Sequence, residues 1–396
     1  MLVQIFTVEF AMQKLMCRTI YAGDRLEDRE ALACLSRRLP LEFQMTRYPT
    51  SDEEWAQVEK HMRVCLSASG DLQDTTTVNP SEPLISEAAF RVMDYEGFNA
   101  AMALRDVLSG FAVHQGERGE LIALLLVTLA RDQVVHNAVA RGRDRQRSRV
   151  VPVTKFLQCL FRSGPGHDIL SSLPSVVKED SEDATIELSD MFAGAMLHFN
   201  HFVKINEHDM LDREYLWRLM SRGAAVLCAS NEKGVDALCQ FTYHSRKLRK
   251  ENLGVILFQF TNDACYGSTV KSELYPSMDP FTLGIFDDPD TTVPIIRIVL
   301  ALAGKTPSLQ TIERVPGETG KFTSYDIWCS GLDTKFYAPI RADGESLDAW
   351  RSLLKASQGG RDIYFEGDEV SQRLMMSMNP GAVTDPRFFQ QWAPLP

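Results

Sequence analysis

An acid two residues past a glycine, Gly234-Val235-Asp236, opens one apolar run of the chain. A glutamine and a threonine two residues apart, Gln259 and Thr261, close the next. Residues two apart on a strand project from the same face. An acid on one strand and two polar positions on its neighbour suit a divalent cation that assists phosphodiester cleavage. Such an ion takes oxygen ligands, which Asp236 and the side-chain oxygen of Gln259 supply. A fourth candidate, Glu120, stands in the first turn of the apolar run that begins at Leu121. Two readings of Glu120 stay open: a carboxylate favoured by the positive end of a helix, or a metal ligand delivered beside Asp236.

Three short apolar runs must position these groups. Ala224–Ala229, Val235–Thr242 and Val255–Phe260 are separated by turn chemistry and are predicted to be consecutive strands. The turn before the second strand carries Lys233. The connector before the third carries Arg246, Lys247, Arg249 and Lys250, read either as phosphate contacts beside the site or as a solvated turn. Gly116–Asp132 is predicted to be a helix whose Leu121, Leu124, Leu125 and Leu129 pack on the sheet.

Gly234, Asp236 and Gln259 together resemble the motif of the PD-(D/E)xK nuclease superfamily, in the variant that has glutamine. Thr261 stands where that motif has lysine. The resemblance implies a restriction-endonuclease-like, three-layer α/β core with a mixed sheet flanked by helices. It also implies a helix-borne glutamate, matched by Glu120 in Gly116-Glu117-Arg118-Gly119-Glu120. Over roughly residues 81–332, the wording SEPLISEAAFRVMD, GERGELIALLLVTLARD, HFNHFVK and RGAAVLCASNEKGVDAL resembles uncharacterised fungal proteins. Those look like the C-terminal regions of Crinkler-type and mobile-element-associated proteins. The activity this resemblance implies is that of an Mg2+-dependent DNA endonuclease, degenerate because threonine carries no charge. The alternative is a non-catalytic binding or regulatory module on the same fold. Lys233, Lys250 or Lys271 would have to supply the missing charge.

The resemblance also implies a P-loop ATPase partner module, separate or lost. No G-x-x-x-x-G-K-[ST] occurs here, since Val299 stands where Gly304-Lys305-Thr306 would need its first glycine.

A net charge of −11 argues against a whole-surface nucleic-acid binder, so a DNA role needs local basic patches. One candidate is the run 141–149, with five arginines in nine residues, read as phosphate contact, nuclear targeting or a solvated loop. The eight cysteines are scattered and read as reduced thiols of an intracellular protein, cytoplasmic or nuclear. Cys228 and Cys239 are expected to be buried and unpaired. The run Leu121–Ala130 reads as too short for a bilayer span.

The expected organisation is a mainly helical region over 1–115, a nuclease-like core over 116–305 with an insertion at about 133–210, and an extension over 306–396. Glu53 to Ser67 is expected to be helical and 70–77 a polar loop. Residues 178–190 read as a disordered linker, and 192–204 as a helix carrying His198 and His201. Packing and hydrogen bonding are favoured over zinc for those histidines, because aromatic and aliphatic residues interleave them.

Overall fold

The computed structural model describes residues 2–358 apart from 22, 44–49, 69–74, 96, 111–117, 141–148, 165–167, 208–209, 229–233, 246, 262–268, 289–291, 318 and 342. Lys233, Arg246, most of the arginine run and the tail from 359 lie outside the described residues.

The chain begins with α1 (Leu2–Met16), α2 (Asp28–Arg38) and α3 (Thr50–Lys60). The antiparallel pair β1 (Val64–Ala68) and β2 (Thr75–Val78) comes next, then α4 (Pro83–Met93) and α5 (Ala100–Gly110). The expected helix over 53–67 therefore stops at Lys60. Met62 turns the chain at φ 64, and Val64–Ala68 becomes a strand whose partner takes the second half of the expected polar loop.

After these come α6 (Arg118–Ala140), β3 (Val151–Pro152), α7 (Val153–Leu160), α8 (Leu188–Met191), β4 (Met196–Leu197), β5 (His201–Lys204) and α9 (Arg213–Ser221). The remaining elements are β6 (Ala224–Leu227), β7 (Ala237–Thr242), β8 (Leu253–Thr261), β9 (Ile295–Ala301), β10 (Ser308–Thr311), β11 (Ser324–Ser330) and α10 (Gly344–Gln358).

Among the described residues, nine strands form one curled, mixed sheet in the order β10-β11-β9-β8-β7-β4-β3. β6 shares the outer edge of β7 with β4 and in turn carries β5. β8, β9 and β11 run parallel, and β7 is antiparallel to β8 and to β6. The architecture is α/β with helices on both faces. Strands covered on both faces must be apolar almost throughout, and ALCQFT of β7 and IIRIVLA of β9 are buried at every position.

Alternation sorts these side chains between two cores. Ala237, Cys239, Phe258 and Ile298 face the core built with α6, α7, α10 and the N-terminal helices. Leu238, Leu257, Val299 and Trp328 face a second core built with α9 and Tyr275, Met278 and Phe286. α6 lies against β8 with Leu121 to Val127 all enclosed, as a helix apolar all round must be. By length and composition its stretch Gly119–Ala138 also suffices to cross a membrane, but 72% of it is buried inside the protein.

Two expectations are corrected by this arrangement. Residues 192–204 are not a helix: after α8 the chain straightens into β4 and β5, and the latter pairs in parallel with β6 through His201↔Ala224 to Lys204↔Leu227. The aromatic and β-branched HFVK suits a pleated surface better than a helix. Residues 178–190 are not a loose linker. Thr323 donates to Asp183 at 2.6 Å, Tyr325 donates its hydroxyl proton to the Ile186 carbonyl at 2.8 Å, and Leu188 is fully buried.

The stretch 133–210 supplies β3, β4 and β5, and the stretch from 306 supplies β10, β11 and α10. Both belong to the sheet and its covering layer. Cys228 and Cys239 are buried and form no disulfide.

Candidate functional site

The parallel strands β8, β9 and β11 end together at Thr261, Ala301 and Ser330, and the antiparallel β7 begins beside them. Ligands of open α/β sheets gather at such carboxyl ends of parallel strands. Asp236 lies at this end. Its amide donates to the Phe258 carbonyl at 2.9 Å, and its carbonyl accepts the Cys228 amide at 2.7 Å. Its carboxylate takes the Phe260 amide at 2.5 Å. The residue is thus held between β6 and β8, straddling Gln259.

The turn that delivers Asp236 depends on Gly234. Its φ is +94, and a Cβ there would lie 2.4 Å from the Ser277 carbonyl oxygen. Gly234→Ala is expected to cost about 2–4 kcal/mol, combining left-handed backbone strain with a clash against main chain. Chemical denaturation of the variant measures this, and a loss under about 1 kcal/mol would show that the turn adapts.

Burial pushes the Asp236 carboxyl up to about 6, and the Phe260 amide opposes the shift only in part. Beside it, Gln259 carries a buried Oε1 with no hydrogen-bond partner among the described residues. In register, Gln259 stands across from Val299, and Val299 from Trp328, whose Nε1 is likewise buried without an acceptor among the described residues. Thr261 is half-buried across from Ala301. Gln240 is fully buried on β7, and neither of its amide atoms is paired among the described residues. A buried polar atom left unpaired costs about 1–3 kcal/mol. Those of Gln259 and Trp328, near this end of the sheet, therefore mark a place kept polar at a cost to stability, whereas Gln240 lies toward the other end of β7.

The other sequence candidates are placed differently. The register of β9 on β8 puts Gln259 and Thr261 on the face of Leu257 and Val299, whereas α6 packs on the opposite face. Glu120, half-buried in the first turn of α6, therefore belongs to the other layer.

The basic connector leaves β7 at Thr242 and enters β8 at Leu253, the far end of the hairpin from Asp236. Six residues of strand separate the two ends, about 20 Å at the usual rise. Lys247, Arg249 and Lys250 are accordingly not beside Asp236. Lys250 pairs with Glu214 at 2.7 Å and lies over the Trp217 ring.

His198 and His201 serve packing and local hydrogen bonds. His198 bonds the Met220 carbonyl at 2.8 Å, and His201 lies between Asn200 and Ser81. Burial drives His201 down to about 3, so it stays neutral. Among the described residues, no three His, Cys, Asp or Glu side chains converge as a metal cluster.

Sequence reasoning missed the ion pair beneath the site. Arg297 on β9 faces Asp326 on β11, with Nε to Oδ1 at 2.7 Å and Nη2 to Oδ2 at 2.6 Å. Nη1 holds the Tyr275 carbonyl at 2.8 Å, and Nη2 also reaches Ser324 Oγ at 3.0 Å. The signal was one charge of opposite sign in each of two otherwise uncharged strands, IIRIVLA and SYDIWCS.

Residues 25–282, well over half of the chain, match a family model described as a domain of unknown function (DUF8736). No curated protein and no solved structure matches the chain.

Proposed function

We propose that this chain, which belongs to the DUF8736 family, is a restriction-endonuclease-like module whose divalent-cation site is degenerate and serves binding rather than efficient cleavage. The observation that carries this reading is the buried Asp236 carboxylate next to the unpartnered Gln259 oxygen, at the end of β8. The strand sequence supports it: β6, β7 and β8 form an antiparallel meander, and β9 then returns parallel to β8.

Mg2+ fits the donor set as a weakly held ion, because hard oxygens are present but only one carries charge. Asp236 and the Gln259 oxygen would hold it, with water completing the shell. A bound Mg2+ would supply charge stabilisation at a phosphate. Asp236 binds only when ionised, so binding should rise as pH increases through about 6. Thr261 presents a hydroxyl where the motif has an ammonium, and a neutral group leaves developing phosphate charge unanswered. The partners this reading implies are DNA and a P-loop ATPase module. The resemblance to Crinkler-type and mobile-element-associated proteins belongs to the same proposal.

The test is Mg2+ or Mn2+ binding by calorimetry together with DNA cleavage. Wild type should bind weakly and cleave poorly, and Asp236→Ala should lose ion binding. Thr261→Lys should raise cleavage by about 10²–10³, the usual value of one electrostatic stabiliser. Brisk wild-type cleavage that disappears in Asp236→Ala would replace the degenerate site with an active one. No ion binding at pH 8 would remove the cation site altogether.

A further inference from the structure

A second concentration of charge lies among the helices, apart from the end of the sheet. Arg38 of α2, Arg131 of α6 and Arg149, just ahead of β3, gather around Phe90, and Arg91 of α4 joins them through Glu87. The guanidinium carbons of Arg38, Arg131 and Arg149 lie 5.6, 5.2 and 5.7 Å from the ring centroid.

Two carboxylates answer these four cations. Asp132 takes Arg38 at 2.7 Å and Arg131 at 3.0 Å, both on Oδ1. Glu87 Oε1 lies within ion-pair reach of Arg149 and, at 3.5 Å, of Arg91, although neither Glu87 oxygen has a hydrogen-bond partner among the described residues. His198 and His201, both shifted toward their neutral forms by burial, add little charge. Among the described residues, the set is left with two positive charges in excess.

The excess is not spread over solvent. The side chains of Arg38 and Arg131 are 0% exposed. Arg131 spends only Nη1 on Asp132, and its Nε and Nη2 have no acceptor among the described residues. Those two nitrogens form one edge of the guanidinium, the edge with which Arg297 grips Asp326 in this same protein. Such a paired edge is built for two oxygens of one carboxylate or phosphate. An enclosed guanidinium with that edge vacant costs several kcal/mol. Burial lowers the pKa of Arg131 and Arg149 despite the carboxylates facing them.

We propose that this cluster is a binding site for a terminal phosphate group, which enters past Arg149 and Arg91 and takes the free edge of Arg131. Two excess charges match a phosphate dianion, whereas a carboxylate leaves one unanswered. Arg149 and Arg91, 28% and 42% exposed, form the way in. The enclosure of Arg38 and Arg131 excludes the backbone of a polymer, which cannot end inside. The ligand is inorganic phosphate or a phosphate monoester such as a mononucleotide.

The test is thermal unfolding of the full chain in inorganic phosphate, with chloride at matched ionic strength. A saturable rise in Tm with phosphate, absent with chloride, is expected. Arg149→Met should raise the half-saturating phosphate concentration about tenfold, the equivalent of one charge-assisted bond. Arg149→Lys, which keeps the charge and loses the fork, should fall between. Adenosine 5′-monophosphate binding more tightly than phosphate assigns the site to a nucleotide, and equal midpoints assign it to free phosphate. The proposal fails if phosphate and chloride act alike, or if both Arg149 variants keep the wild-type midpoint. It fails equally if a single-stranded oligonucleotide stabilises the protein where inorganic phosphate does not.

Discussion

Arg297→Met is expected to destabilise the protein by about 3–5 kcal/mol, the usual result of removing one partner of a buried ion pair. The substitution strands the Asp326 carboxylate, 3% exposed, between β9 and the second core, and frees the Tyr275 carbonyl and Ser324 hydroxyl. Most of the loss is the cost of an unanswered charge rather than the worth of the pair. The double variant Arg297→Met, Asp326→Leu should therefore recover most of it. Urea denaturation of wild type, both single variants and the double variant closes the cycle. A double variant no better than Arg297→Met would show that the guanidinium's bonds to Tyr275 and Ser324 carry the stability instead.

Asp236→Asn is expected to stabilise the protein above pH 6 and to do nothing near pH 4. The folded carboxyl titrates at about 6, against 3.8 ordinarily, so the folded state holds its proton to higher pH than the unfolded chain. The contribution of this group is complete below about pH 4 and is lost as pH rises through about 6. At pH 7 both states are ionised, and the folded one carries the penalty, about 2–3 kcal/mol at 1.36 kcal/mol per unit. Asparagine keeps an oxygen for the Phe260 amide and removes the charge. Unfolding free energies of both proteins from pH 4 to 8, with chelator present, should diverge as pH rises. Parallel curves would mean that the carboxylate is better solvated than its burial suggests.

Several elements were legible because local chemistry and tertiary packing agree. The strand runs predicted at 224–229, 235–242 and 255–260 are bounded by turns in which Gly223 and Gly234 take positive φ, and strands form there at Ala224–Leu227, Ala237–Thr242 and Leu253–Thr261. The run VPIIRIVLALA, apolar at all but two positions, supplies β9. Legibility failed where a long-range partner decides the outcome. HFVK becomes a strand because β6 lies beside it, and 178–190 is ordered because β11 holds it. The place of the basic connector was misjudged because nearness in sequence is not nearness in an antiparallel hairpin. Asp236 pairs with the end of β8, so the connector must lie at the other end. Composition did not disclose Gln240 or Trp328, whose unpaired atoms have meaning only once their burial is known.

The arrangement of the sheet bears on self-association. An open edge of strand invites another chain to add to it. Here the three margins are short. β10 offers four residues, half of them hydroxylated, and β3 offers two, the second a proline that has no amide to donate. β5 is four residues long and is overlaid by α2, with Arg38 on the Asn200 carbonyl and Lys204 held by Glu42 at 2.7 Å. The long apolar ladders of β8 and β9 are interior, paired on both sides. Among the described residues, then, the most aggregation-prone strands are those that a neighbouring molecule reaches last.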